Sequence, residues 1–249
     1  MKKRMKMGWM VSMAVLAMVS FVGYNAYADT ITTNQAVVKA NDVETTYDFD
    51  KVKMEVENGI TKVCICKCLC FRSLQLLSTQ FTGGVVPRDD IKVYTGWTTD
   101  GAEELFVETM GWAHEDVVFM AGATDAAHLT IGDAYFFFVQ KSTGRAWKVL
   151  AKEGLYPAGF FTYRTLVKTA TASSEQTVFF QKALRPQAAA NLAAIPLIDK
   201  LDIQEVAAFD QDGALRIPAV VLPGGMAYEV ELSHTGNYVF ELKNAVSLN

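Results

Sequence analysis

Short apolar runs separated by polar turn signals recur along most of the chain, which is the pattern of antiparallel strands joined by tight turns. Residues 31–57 mix Thr, Val and acidic residues. Within them Val52, Met54 and Val56 alternate with Lys53 and Glu55, predicting a half-buried strand. Asn58-Gly59 is a hairpin turn signal, and residues 60–71 read as the return strand. Residues 91–98 are β-like, Asp100-Gly101 reads as a turn, and residues 102–110 read as a short helix with Leu105, Phe106 and Met110 on a rough apolar face. A short buried strand is expected at 117–120. Residues 134–140 and 146–151 predict a hairpin around the loop at 142–145. Its aromatic run, Phe136-Phe137-Phe138, fits a strand buried on both faces, with an apolar or sugar-binding face as the alternative. A further strand pair is expected at 160–169 and 177–183. Pro186 suits the first turn of a helix over 186–200, which Pro196 ends or kinks. Strands at 215–222, 226–232 and 237–242 follow, separated by Pro223-Gly224-Gly225 and Thr235-Gly236-Asn237. The fold class this predicts is mainly β, a β-sandwich or barrel-like set of antiparallel hairpins with one or two short helices.

The first 28 residues break this pattern. Lys2, Lys3, Arg4 and Lys6 precede an uncharged apolar run from 7 to 22, and Ala26-Tyr27-Ala28 places small residues where a signal peptidase reads. That is the three-part form of a secretory signal peptide, with cleavage expected after Ala28. The run of about 16 residues is shorter than the roughly 20 needed to span a bilayer. The expected organisation is a signal peptide at 1–28, a β-rich domain at 29–200 and a C-terminal β-hairpin module at 201–249 packed on the same domain. The expected location is periplasmic or extracellular, in a bacterium.

Cleavage changes the electrostatic picture. It removes four basic residues and no acidic ones, taking the formal charge from −4 to −8. An acidic surface argues against nucleic acid as a partner, and no later stretch is long and apolar enough to span a membrane.

All four cysteines lie in one segment, Val63-Cys64-Ile65-Cys66-Lys67-Cys68-Leu69-Cys70-Phe71. On a strand, two-residue spacing puts every sulfur on one face. Three readings compete. A thiolate metal site suits soft ligands, but one straight strand does not wrap four thiolates around an ion. Disulfides suit an oxidising compartment, but i,i+2 neighbours on a strand point in parallel directions. A buried core face uses Cys as a small apolar residue, at the cost of leaving four free thiols in an exported protein. The same region holds no acidic residue between Glu57 and Asp89, where the chain's average share would be about four. It carries Lys62, Lys67, Arg72 and Arg88 instead. One explanation is that residues 64–81 derive from a locally shifted reading frame.

Other groupings are sparse. His114-Glu115-Asp116 and Asp125-x-x-His128 offer ligand types without the second His of a helical zinc motif. An unrecognised hydrolase would need a cleft that brings His114 or His128 to a carboxylate. His234 sits beside a turn. Asp210-Gln211-Asp212-Gly213 lacks the flanking acids of an EF-hand loop and reads as a tight turn. No nucleophile elbow, phosphate loop or dinucleotide fingerprint occurs. No catalytic, cofactor-binding or metal-binding residue is therefore assigned, and no cofactor is expected.

Residues 209–240 contain a Gly213 turn, a Leu215-x-Ile217-Pro218-x-Val220 strand, a Gly225 turn and a Tyr228-x-Val230-x-Leu232 strand. This resembles a short β module of exported bacterial proteins with unassigned function. The resemblance implies export and a β-hairpin, and it carries no active-site residue. Pro218 within the strand predicts an edge position or a bulge. The functional expectation is an exported, soluble, non-catalytic binding or structural module for an unidentified ligand or protein. The alternative is a metal- or thiol-handling periplasmic protein that uses Cys64, Cys66, Cys68 and Cys70.

Overall fold

A computed structural model describes residues 31, 33–57, 60–120, 125–194 and 197–207, with the strands at 214–221, 226–234 and 238–247. The expected signal peptide, Pro196, the acidic turn at 210–213 and the glycine turns at 58–59, 223–225 and 235–237 lie outside the described residues.

The chain opens with a hairpin of β1 (Gln35–Ala40) and β2 (Val43–Asp48), paired from Gln35–Asp48 to Ala40–Val43. Its two turn residues, Asn41 and Asp42, have φ of 48° and 65°. Short polar side chains of this kind tolerate the left-handed region that such a turn requires. One turn of helix, α1 (Phe49–Val52), is started by the Asp48 carboxylate, which accepts from the Asp50 amide. The expected hairpin around residues 58–59 follows as β3 (Met54–Glu57) and β4 (Ile60–Val63), with Met54 opposite Val63.

The return strand stops at Val63, and this is the first large correction. Residues expected to extend it form α2 (Ile65–Ser78), with twelve of its fourteen residues buried. Two-residue Cys spacing imitates a strand, but Leu, Gln, Arg and Lys are good helix formers, and Ile65 is the only β-branched residue in the helix. A helix that is apolar nearly all round belongs inside the molecule. Here α2 sits among α1, β1, β5 (Val85–Pro87), two strands of the main sheet and two later helices. Cys68, Leu69, Cys70, Phe71, Leu74, Leu76 and Leu77 are fully buried in the core.

Burial gives Arg72 a specific place. Arg72 is fully buried. Its Nε donates to the Leu192 carbonyl (2.8 Å) and its Nη2 to the Ala193 carbonyl (3.2 Å) and Asn34 Oδ1 (3.0 Å). Its Nη1 donates to Gln75 Oε1, and the guanidinium lies 3.7 Å from the Phe49 ring centroid. Burial lowers its pKa to about 10, so the cation persists at neutral pH. The segment attributed to a shifted frame thus supplies the central helix and ties it to both ends of the described core.

The main sheet has the order β10-β9-β8-β6-β7. It contains β6 (Ile91–Thr95), β7 (Val117–Phe119), β8 (Tyr135–Gln140), β9 (Ala146–Ala151) and β10 (Leu201–Ala207). β6 and β7 are parallel and the other pairs antiparallel. The expected β8–β9 hairpin is present, with Tyr135 opposite Leu150. Tyr135 through Val139 are all buried, so the aromatic run is a central strand rather than an open face. Phe136 and Phe138 pack edge-on to Phe106 beneath the sheet.

Helices account for the remaining corrections. α3 runs through Asp100–Glu103 and continues as a wider π-type turn over Glu104–Thr109, so the Asp100-Gly101 turn is the helix's first turn. The strand pair expected at 160–169 and 177–183 is instead α4 (Phe160–Lys168) and α5 (Ser174–Phe179), the latter extended by a π-type turn over Phe180–Leu184. Ser173 and Gln176 form a capping box at the start of α5. α6 (Arg185–Ala193) has Pro186 in its first turn, as expected. The architecture is mixed α/β, not mainly β.

The three C-terminal strands, β11 (Ala214–Val221), β12 (Met226–His234) and β13 (Tyr238–Ser247), form an antiparallel sheet in that order. β11 is an outer strand, and its pairing with β12 shifts register between Ile217 and Val220, on either side of Pro218. Both features anticipated for a proline in a strand are present.

Candidate thiolate and anion cleft

Where β4 gives way to α2, Cys64 takes the N-cap position with extended backbone (φ −86°, ψ 104°) and no side-chain cap hydrogen bond. Cys66 is the second helical residue. At about 100° per residue, a helix turns each two-residue step through about 200°. The four thiols therefore cannot share a face. Cys68 and Cys70 go into the core, Cys64 is buried beside the helix start, and Cys66 remains half-buried. All four are free thiols. Burial pushes the Cys68 thiol up to about 12 and Cys70 well above its ordinary value, so both are inert core residues. Among the described residues, no group of three or more His, Cys, Asp or Glu could hold a metal ion.

Cys64 and Cys66 line a cleft of about 530 Å³. Its other walls are the start of α3, with Thr99, Asp100 and Gly101, and one face of α4, with Arg164 and Lys168. Trp97 also lines it. Gly101 is what lets α3 approach α2 so closely. A Cβ there would lie 2.8 Å from Cys66 Cβ and 3.0 Å from Cys64 Sγ.

The charges of the cleft divide into paired and unpaired groups. Glu55 lies 3.4 Å from Lys62 and 3.9 Å from Arg185, and Glu104 is paired with the buried Lys67. Asp100 and Lys168 are exposed at the mouth. Arg164 is different. It is 7 % exposed, and its hydrogen bond is a long one, from Nη1 to the Ala127 carbonyl (3.5 Å). No carboxylate among the described residues forms an ion pair with it. Trp97 Nε1, on a residue of the same wall, is buried without a hydrogen-bond partner.

Cys66 responds to this environment. Its pKa falls below the ordinary cysteine value because the Cys64 thiol hydrogen-bonds to its sulfur, outweighing the opposing effect of burial. The Thr99 hydroxyl and the charges of Arg164 and Lys168 lower it further. Cys64, which gives up its proton last in this pair, is pushed up. The thiolate of Cys66 thus forms at lower pH than the roughly 8.5 of a free cysteine. Alkylation by the neutral reagent iodoacetamide, followed by peptide mass mapping, is expected to show a Cys66 rate with a midpoint below that of a free cysteine. A midpoint at or above that of a free cysteine contradicts this electrostatic account.

The histidines do not join the cleft. His114 Nδ1 lies 3.4 Å from Glu103 Oε1 on α3 and His128 Nδ1 lies 2.7 Å from Asp125 Oδ2, each an exposed pair. The His128 hydrogen bond, with help from the Ala127 amide, lowers the Asp125 pKa. His234 ends β12. No described histidine lines the cavity, so the arrangement lacks a histidine base for a Cys–His hydrolase.

Sequence reasoning placed the cysteines at issue but missed Trp97, Thr99, Gly101 and Arg164. One signal was available. Arg164 and Lys168 are four residues apart, which puts both on one face once the segment is read as a helix. No family model, curated protein or solved structure matches the chain.

Proposed function

We propose that the protein is an exported binding protein for a small organic anion, held in the cleft between α2, α3 and α4. The observation that carries this reading is Arg164, a buried guanidinium facing a cavity without a carboxylate partner. Leaving a charge buried and unpaired costs several kcal/mol as an order of magnitude, and an anionic ligand removes that cost. A planar guanidinium matches a carboxylate or phosphate with two parallel hydrogen bonds. Lys168 adds charge at the mouth, and the N-terminal end of α2 favours an anion electrostatically. The volume suits a ligand of metabolite size, since such pockets run from about 300 to 1,000 Å³. The secretory signal read at 1–28 supports export. The absence of a described histidine from the cavity lining supports binding rather than hydrolysis.

Calorimetric titration of the mature protein with citrate, succinate and inorganic phosphate tests this reading. Saturable one-to-one binding of at least one of them is expected, weakened several-fold by Lys168→Gln. Absence of saturable heat with all three overturns it.

A further inference from the structure

We propose that Cys66 is a nucleophile for thiol–disulfide exchange with small disulfides that carry carboxylates, the anionic groups being held by Arg164 and Lys168. This rests on the anion-binding reading of the same cleft. Three features of the site converge on it. Cys66 is the one cysteine that is half-buried on the cavity wall; Cys64 beside it is buried, and Cys68 and Cys70 are enclosed in the core. Arg164, more than nine-tenths buried, faces the same cavity with one long hydrogen bond to a backbone carbonyl. Gly101 keeps α3 against the Cys64–Cys66 pair, which fixes the sulfur at the cavity edge.

The chemistry of the lining selects the reaction. Acyl transfer or amide cleavage needs a group that protonates a poor leaving group, and no described histidine is present to do so. Disulfide exchange needs none, because the leaving group is a thiolate. The Cys66 thiolate attacks one sulfur of R–S–S–R and a new Cys66–S–S–R bond forms. The original S–S bond breaks, and RS⁻ departs with its electron pair and takes a proton from water. Cys66 ends at the disulfide level, and one half of the ligand is reduced to a thiol. The Cys64 S–H, hydrogen-bonded to the Cys66 sulfur, holds that sulfur as the acceptor before attack. Carboxylates on the ligand meet Arg164 and Lys168, so the site distinguishes disulfides by charge.

The test uses the reduced mature protein with two reagents of opposite charge, glutathione disulfide and cystamine, followed by intact mass and peptide mapping. The expected result is a mixed disulfide on Cys66, formed at least tenfold faster with glutathione disulfide than with cystamine. Arg164→Gln and, separately, Lys168→Gln should each reduce that ratio while leaving Cys66 accessible to iodoacetamide. Equal rates for the two reagents, or adducts on other cysteines instead of Cys66, overturn the proposal. S-methylglutathione, which has the carboxylates but no disulfide, separates the two readings. If it binds wild type and Cys66→Ser by calorimetry while glutathione disulfide leaves no adduct, exchange is wrong and anion binding stands. If Cys66 reacts without regard to charge and S-methylglutathione does not bind, anion binding falls, and the charge-selective exchange built on it falls too.

Discussion

Replacing Arg72 by Leu is expected to destabilise the fold by about 3–5 kcal/mol, the range found when one side of a buried charged network is removed. The guanidinium satisfies the Leu192 and Ala193 carbonyls at the end of α6, the Asn34 side chain before β1 and the Gln75 amide oxygen on α2. Leucine fills part of the volume but leaves the Leu192 carbonyl and the Gln75 amide oxygen buried without this donor. It also removes the positive charge that stacks on Phe49 and meets the C-terminal carbonyls of α6, where a cation is favourable. Lysine keeps the charge, but its single ammonium cannot reach four acceptors in different directions, so Arg72→Lys should recover less than half of the loss. Urea unfolding followed by circular dichroism measures both. A loss below about 1 kcal/mol for Arg72→Leu would place this side chain outside the stabilising network.

The opposite sign is expected at the other buried arginine. Arg164→Met replaces an uncompensated cation with an apolar side chain of similar length, and such replacements are commonly stabilising by about 1–4 kcal/mol. At this chain length, a gain of 1 kcal/mol raises the melting temperature by about 2–4 °C. The same change removes the fork that receives the anion, so stability in the unliganded protein should rise as binding is lost. This inverse relation is characteristic of functional sites, where an unfavourable arrangement is kept for what it binds. A structural arginine behaves like Arg72 and gives a loss. The two arginines are thus internal controls for each other, buried to a similar degree but with contrasting hydrogen bonding.

Elements bounded by explicit turn chemistry were legible from the residues. The β3–β4 and β8–β9 hairpins, the start of α6 at Pro186 and the three C-terminal strands all follow from Gly, Pro and polar turn residues between apolar runs. Two kinds of segment were not legible. α2 is buried on nearly all sides, so it lacks the one-sided period that identifies a helix, and its cysteines fall every second residue as strand positions do. α4 and the segment leading through α5 are rich in Phe, Tyr, Thr and Val, residues that favour strands by intrinsic preference. There the capping pair Ser173 and Gln176 was the better guide. The β1–β2 hairpin was missed because Asn41-Asp42, without a glycine, is a weaker turn signal. These errors carried into the site. Once residues 60–71 are taken as a strand, all four thiols share a face and a metal or disulfide cluster becomes the natural question. As a helix start, the segment gives two core thiols and a Cys64–Cys66 pair beside a cavity. Likewise, Arg164 on a strand has no relation to Lys168, whereas on α4 both face the cleft.

The central claim, that the cavity beside Cys66 is an anion site organised by Arg164, is tested most directly by thermal unfolding of wild type and Arg164→Met. Each is measured in citrate and in sodium chloride of matched ionic strength. The account predicts that citrate raises the wild-type melting temperature above the chloride control and leaves Arg164→Met unaffected, and that Arg164→Met melts higher than wild type in chloride. A variant that melts lower than wild type in chloride, or that responds to citrate as wild type does, would contradict it.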